Sequence, residues 1–199
     1  MRVAVNRGVL VGSLVVAAVI SVAGGYALSR NPTASTQADD NVTITSNSTF
    51  TEPGIAVNTP VQGKALPTVE LRDTAGASVS TASLLGKPLV LNVWATSCEA
   101  CKKEMPALAQ LNAEFGDRVR FVGVNQFAND AAALNFARDK GVTYELLSDQ
   151  DGALVTALGI TGLPYTLFVS ADGTIVAQKG IALSADTIRS TITSSLLTP

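Results

Sequence analysis

Cys98 and Cys101 are the only cysteines in a chain of 199 residues that contains no histidine. A Cys-x-x-Cys pair can hold a metal, attach haem, staple a loop or exchange disulfides, and the residues around it narrow that choice. A structural zinc site needs four Cys or His ligands, so the chain offers too few, and we expect no metal. Haem attachment requires His directly after the second cysteine, where Lys102 stands. A copper carrier fails for the same want of His. A purely structural staple over so short a loop would stabilise the fold by only roughly 2 kcal/mol on the loop-entropy estimate. It remains the plain alternative to redox exchange, which the local sequence favours.

The elements that must position the pair can be read on either side of it. Leu89 to Trp94 is a buried apolar strand that breaks into a short loop and then enters a helix whose first turn carries both cysteines. A thiol there faces unpaired backbone N–H groups and the positive end of the helix dipole, which favour thiolate. Cys98 is the expected nucleophile. A fall in its pKa from ~8.5 to ~7 would leave about half of it ionised at neutral pH rather than ~3%, worth roughly 2 kcal/mol. Cys101, one turn further in, is placed to resolve a mixed disulfide.

The run Trp94-Ala95-x-x-Cys98-x-x-Cys101-x-x-Glu104-x-Pro106, with Gly162-Leu163-Pro164 ahead of a later strand, resembles the membrane-tethered TlpA/ResA branch of the thioredoxin-like proteins over residues 67–199. That resemblance implies an α/β thioredoxin fold, a mixed central sheet flanked by helices with an N-terminal β-hairpin and a central insertion. It implies an active-site carboxylate at Glu104 that tunes the thiols and relays protons, where spacing alone would read a solvated helix residue. It also implies a cis bond before Pro164, facing the dithiol, and a Leu163 backbone that pairs with an extended substrate segment. Leu163, Pro164, Trp94 and Ser97 are accordingly placed at the substrate, and Pro106 at a helix kink.

Ser97 and Ala100 depart from the family, which usually has Trp before the first cysteine and often Pro before the second. Ala100 restores a first-turn N–H that we expect to reach the Cys98 thiolate and make the disulfide more oxidising. Lys102 and Lys103 act in the same direction, and Glu99 and Glu104 oppose them. Asn92 stands where thioredoxins carry a buried Asp, which leaves Glu104 as the proton acceptor for Cys101.

Ahead of this domain, residues 8–28 carry no charged side chain and follow Arg2 and Arg7. At about 1.5 Å per residue the run spans about 31 Å, so residues 1–29 read as a transmembrane signal anchor with its basic flank in the cytoplasm. A cleaved signal peptide is the rival reading. Residues 30–66 are rich in Ser, Thr and Asn and read as a disordered tether. The net charge of −2 gives no basic surface for nucleic acid.

Periodicity and turn residues then predict a β-hairpin over Leu66–Ser80 around Asp73–Gly76, and a helical turn at Ser83–Leu85. Strands are expected at Leu89–Trp94, Val119–Asn125, Tyr144–Leu147, Tyr165–Val169 and Thr174–Gln178. Helices are expected at Cys98–Phe115, Ala131–Lys140, Gly152–Leu158 and from the Ser184 cap to Leu196.

The expected protein is an extracytoplasmic, single-pass, membrane-tethered thiol–disulfide oxidoreductase that acts on protein thiols or disulfides and needs no bound cofactor. The resemblance implies a reductant, kept reduced by a membrane electron donor of the CcdA/DsbD kind, with cytochrome c maturation as one service. An oxidase of exported proteins and a non-catalytic binding module are the alternatives. A peroxiredoxin would need Pro at 91 and Thr or Ser at 95, where this chain has Leu91 and Ala95.

Overall fold

The computed structural model describes residues 58–197, so the expected anchor and most of the expected tether lie outside the described residues. Strands β1 (Glu70–Arg72) and β2 (Ser78–Ser80) form an antiparallel hairpin, followed by a 3-10 turn at Thr81–Leu84. Then come β3 (Leu89–Trp94), α1 (Glu99–Phe115), β4 (Arg120–Asn125), α2 (Ala131–Asp139), β5 (Glu145–Ser148) and α3 (Ala153–Leu158). The chain closes with β6 (Tyr165–Val169), β7 (Ile175–Lys179) and α4 (Ala185–Thr191), which widens into a π turn at Ile192–Leu196.

These strands make one mixed sheet in the order β2-β1-β5-β4-β3-β6-β7. β3 pairs in parallel with β4 and antiparallel with β6, and β7 runs antiparallel to β6. The ends of β3, β4 and β7 and the start of β6 therefore share one edge of the sheet, where the cysteine loop emerges.

All six residues of β3 are buried because the sheet is covered on both faces. Val90 and Trp94 face a core with Met105, Leu108, Leu111 and Phe115 of α1 and Ile188 of α4. Leu89, Leu91 and Val93 face the other, with Leu147, Leu154 and Leu167. The helix α1 buries Cys101, Glu104, Met105, Leu108, Leu111 and Phe115, the i, i+3, i+4 stripe of an amphipathic helix, and runs through Pro106.

The expected tether is corrected at its end. Residues 58–66 pack onto the domain: Val61 and Leu66 are buried, and Gly63 N–H and Leu66 N–H donate to the carbonyls of Ile175 and Gly173, each at 2.8 Å. Ile175 N–H answers to the Lys64 carbonyl at 2.9 Å, so this strap follows the outer edge of β7 and supplies hydrogen bonds that an edge strand would otherwise leave open. Scattered apolar residues in a polar segment gave no period to read. At α2 Asp130 makes the side-chain cap, accepting from Ala133 N–H at 2.8 Å.

Candidate active site

Strand β3 delivers the chain to a loop at the sheet edge, and Cys98 becomes the N-cap of α1. It is half-buried and disulfide-bonded to Cys101, which is wholly buried one turn along, with 5.2 Å between their Cα atoms. Cys98 Sγ accepts a hydrogen bond from Cys101 N–H at 3.0 Å. The donor expected at Ala100, the second helical residue, is therefore found one residue later at the third, the other position an N-cap side chain can reach. Lys102 forms an ion pair with Glu99, an exposed carboxylate that the lysine holds below its usual range.

Glu104 sits one further turn into α1 and is 0% exposed. Asn92 Nδ2 donates to its Oε2 at 2.9 Å, while Thr166 Oγ1 and Leu183 N–H donate to its Oε1 at 3.2 and 3.3 Å. Asn92 Nδ2 also donates to Thr166 Oγ1 at 2.8 Å, closing a triangle of side chains from β3, β6 and α1. Burial pushes the Glu104 carboxyl up to about 7, against the three donors, which favour the carboxylate. Burial, and after it the Glu104 charge, pushes the Tyr144 phenol up.

The sequence reading missed Thr166 and the Leu183 N–H. A signal for Thr166 was present: Asn92 and Thr166 are polar residues inside apolar strands, and they are register partners in the β3–β6 ladder.

The register Val93↔Tyr165 carries Pro164 to the edge from which the cysteine loop springs. The Leu163–Pro164 bond is cis, as the resemblance implied. Pro164 is buried, Leu163 half-buried and Ser97 exposed beside Cys98.

Trp94 does not join them. It is 0% exposed and stacks on Phe136 of α2 with ring centroids 5.7 Å apart, so the place given to it at the substrate is corrected to a core role. The indole fits because Gly123, opposite Asn92 on β4, has no side chain; a Cβ there would lie 3.2 Å from Trp94 Nε1.

Among the described residues no group of His, Cys, Asp and Glu could hold a metal ion. Ala95, where a peroxiredoxin needs a hydroxyl, is buried and has none.

Comparison with known proteins agrees with this geometry. The chain is 34% identical to the thiol-disulfide oxidoreductase ResA of Bacillus subtilis over 116 residues, covering 58% of this chain and 65% of that protein. It is 41% identical to the thiol:disulfide interchange protein DsbE of Pseudomonas fluorescens biotype C over 115 residues, covering 57% and 63%. The matched region thus spans just under two thirds of these relatives. A secreted Mycobacterium tuberculosis disulfide oxidoreductase homologous to E. coli DsbE superposes with a TM-score of 0.57 and 29% identity, over 64% of this chain and 96% of that one. The fold is that of the thioredoxin-like proteins, and with residues 62–178 matching its family pattern, the chain belongs to the AhpC/TSA family.

Proposed function

We propose that this chain is a membrane-tethered, extracytoplasmic thiol–disulfide oxidoreductase that reduces disulfides in exported proteins. The observation that carries the reading is a half-buried cysteine at a helix N-terminus, bonded to a fully buried one, with a buried carboxyl one turn further on.

In the reducing direction the Cys98 thiolate attacks one sulfur of a substrate disulfide, forming a mixed disulfide and releasing the other sulfur as a thiolate. Cys101, losing its proton to the Glu104 carboxylate, attacks Cys98 Sγ. The second substrate sulfur leaves as a thiolate and the Cys98–Cys101 disulfide forms. The substrate gains two electrons and the pair loses two. A pKa of about 7 lets Glu104 accept and return a proton near neutral pH.

A protein substrate fits the surroundings. Phe127 and Ile181, 58% and 68% exposed, follow β4 and β7 at the same sheet edge as the dithiol. Exposed aromatic and aliphatic side chains flanking a reactive thiol favour a polypeptide over a small disulfide.

Extracytoplasmic placement follows from the apolar run at 8–28 with its basic flank, and the secreted Mycobacterium tuberculosis relative supports it. The resemblance to the TlpA/ResA branch points to the reducing direction, to a donor of the CcdA/DsbD kind and to cytochrome c maturation. The N–H on Cys98 Sγ favours the opposite reading, an oxidase, because it stabilises the thiolate of the reduced pair.

Two measurements test these readings. Cys101→Ser should accumulate mixed disulfides with exported proteins through Cys98, and its failure to do so would defeat exchange; capture of the same proteins by a Cys98→Ser/Cys101→Ser chain would indicate a binding module. A reduction potential near roughly −270 mV supports the reductase, and one near roughly −120 mV the oxidase.

A further inference from the structure

The strap along β7 ends at the loop that carries Leu163. Gln178 of β7 holds the strap by accepting from Val61 N–H and from Gln62 N–H at 3.1 Å, and by donating to the Thr59 carbonyl at 3.2 Å. Thr59 N–H donates to the Gly159 carbonyl at 3.2 Å. Beyond it the Asn58 carboxamide spans to Thr161 and Gly162. Its Oδ1 accepts from Thr161 N–H at 2.7 Å, Gly162 N–H at 3.0 Å and Thr161 Oγ1 at 3.3 Å, and its Nδ2 donates to the Gly162 carbonyl at 3.2 Å. One side chain therefore ties down the exposed backbone just before Leu163.

A second element is shaped to admit that side chain. A Cβ on Gly180, just after β7, would stand 2.6 Å from Asn58 Nδ2, so only glycine lets the carboxamide lie where it does. Both sides of the contact, the strap and the β7 exit, converge on the same loop.

We propose that Asn58 is a positioning residue for polypeptide substrates, fixing Thr161–Gly162 and through them the Leu163 backbone on which an extended substrate segment pairs beside the dithiol. The inference rests on the disulfide-exchange reading above. Strand addition requires the receiving backbone to be held in place, and a loop fixed in advance removes an ordering cost that binding would otherwise meet. A small disulfide that forms no backbone pairs gains nothing from this. Asn58 thus acts on the choice between a peptide and a small substrate and leaves the thiol chemistry alone.

The test uses the full chain, reduced and solubilised in detergent, with two electron acceptors. One is an extended peptide whose central cysteine carries a nitrothiobenzoate mixed disulfide; the other is Ellman's reagent. Release of the coloured thiolate is followed for both. Asn58→Ala should lower the second-order rate constant for the peptide about tenfold while that for Ellman's reagent stays within about twofold and the reduction potential is unchanged. Asn58→Asp, which keeps the acceptor for the Thr161 and Gly162 N–H groups but loses the donor to the Gly162 carbonyl, should recover part of the peptide rate. Gly180→Ala, which displaces the carboxamide from a different element, should reproduce the loss.

Equal slowing with both acceptors, an unchanged peptide rate in Asn58→Ala, or no recovery in Asn58→Asp would each overturn the proposal. A wild-type chain that consumes Ellman's reagent but not the peptide would overturn the role of Asn58 alone. One that consumes neither would overturn the exchange reading as well.

Discussion

Asn92 Nδ2 and Glu104 Oε2 lie 2.9 Å apart, a hydrogen bond that joins the central strand to the helix of the cysteines inside the protein. An amide at this point leaves Glu104 hydrogen-bonded to neutral groups alone, since Thr166 and the Leu183 N–H are neutral too. Two carboxylates there would repel, and one would be forced to keep its proton well above neutrality. With Asn92 the carboxyl is balanced between burial, which favours the acid, and three donors, which favour the carboxylate.

The rate of resolution should follow that balance. Above about pH 7 Glu104 is a carboxylate able to take the Cys101 proton, and below it the acid cannot. Exchange followed through the fluorescence of Trp94 should rise through an inflection near pH 7 in the wild type. Glu104→Gln should slow it by about a hundredfold at pH 8 and remove the inflection. An inflection that survives in Glu104→Gln would assign it to a cysteine instead.

Stability should move the other way with pH. Glu104 goes from an ordinary 4.5 in the unfolded chain to about 7 in the folded one, so between those values the native state binds the extra proton. The stabilisation is fully present below about pH 4.5 and is lost as pH rises through about 7, amounting to about 3 kcal/mol in all. Denaturant unfolding of the oxidised protein at pH 5 and pH 8 should show most of this loss in the wild type and almost none of it in Glu104→Gln. Equal pH dependence in the two proteins would place the titrating group elsewhere.

Thr166→Val tests the opposing donors. Valine keeps the β-branched shape of the strand residue but cannot donate to Glu104 Oε1, a bond of 3.2 Å in the wild type. A hydrogen bond to a charged acceptor contributes about 1.5 kcal/mol or more, so its loss should raise the Glu104 pKa by about one pH unit. Carbon NMR titration of the Glu104 carboxyl would read this directly, and an unchanged value would show that the hydroxyl does not stabilise the anion.

Much of this architecture is visible in the sequence because its parts are local and periodic. Leu89–Trp94 reads as a buried apolar strand, Cys98–Phe115 as a helix, and Tyr165–Val169 and Thr174–Gln178 as two successive strands. The cysteines and Glu104 are legible by spacing and resemblance. What escaped was set by contacts distant in sequence. Asn58 meets Thr161 and Gly162 from 103 and 104 residues away, within a polar segment that carries no period. Trp94 is next to the cysteine loop in the chain, yet its ring turns inward because Gly123, on another strand, leaves it room.

Gly123→Ala should expose that last dependence. The added Cβ would lie 2.9 Å from Leu146 Cδ2, 3.1 Å from Tyr144 Cε2 and 3.2 Å from Trp94 Nε1. The leucine tip can rotate away, but the two rings are held by packing: Trp94 against Phe136, with centroids 5.7 Å apart, and Tyr144 against Phe121 at 6.2 Å. Overpacking of this kind costs about 1–3 kcal/mol, more than a glycine-to-alanine change in a strand would return. Denaturant unfolding should show that loss, together with a shift in the emission of the single tryptophan as its ring is displaced. A variant as stable as wild type with unchanged emission would mean that the indole does not need the space over Gly123, and that some other contact holds the end of β3 where Cys98 begins its helix.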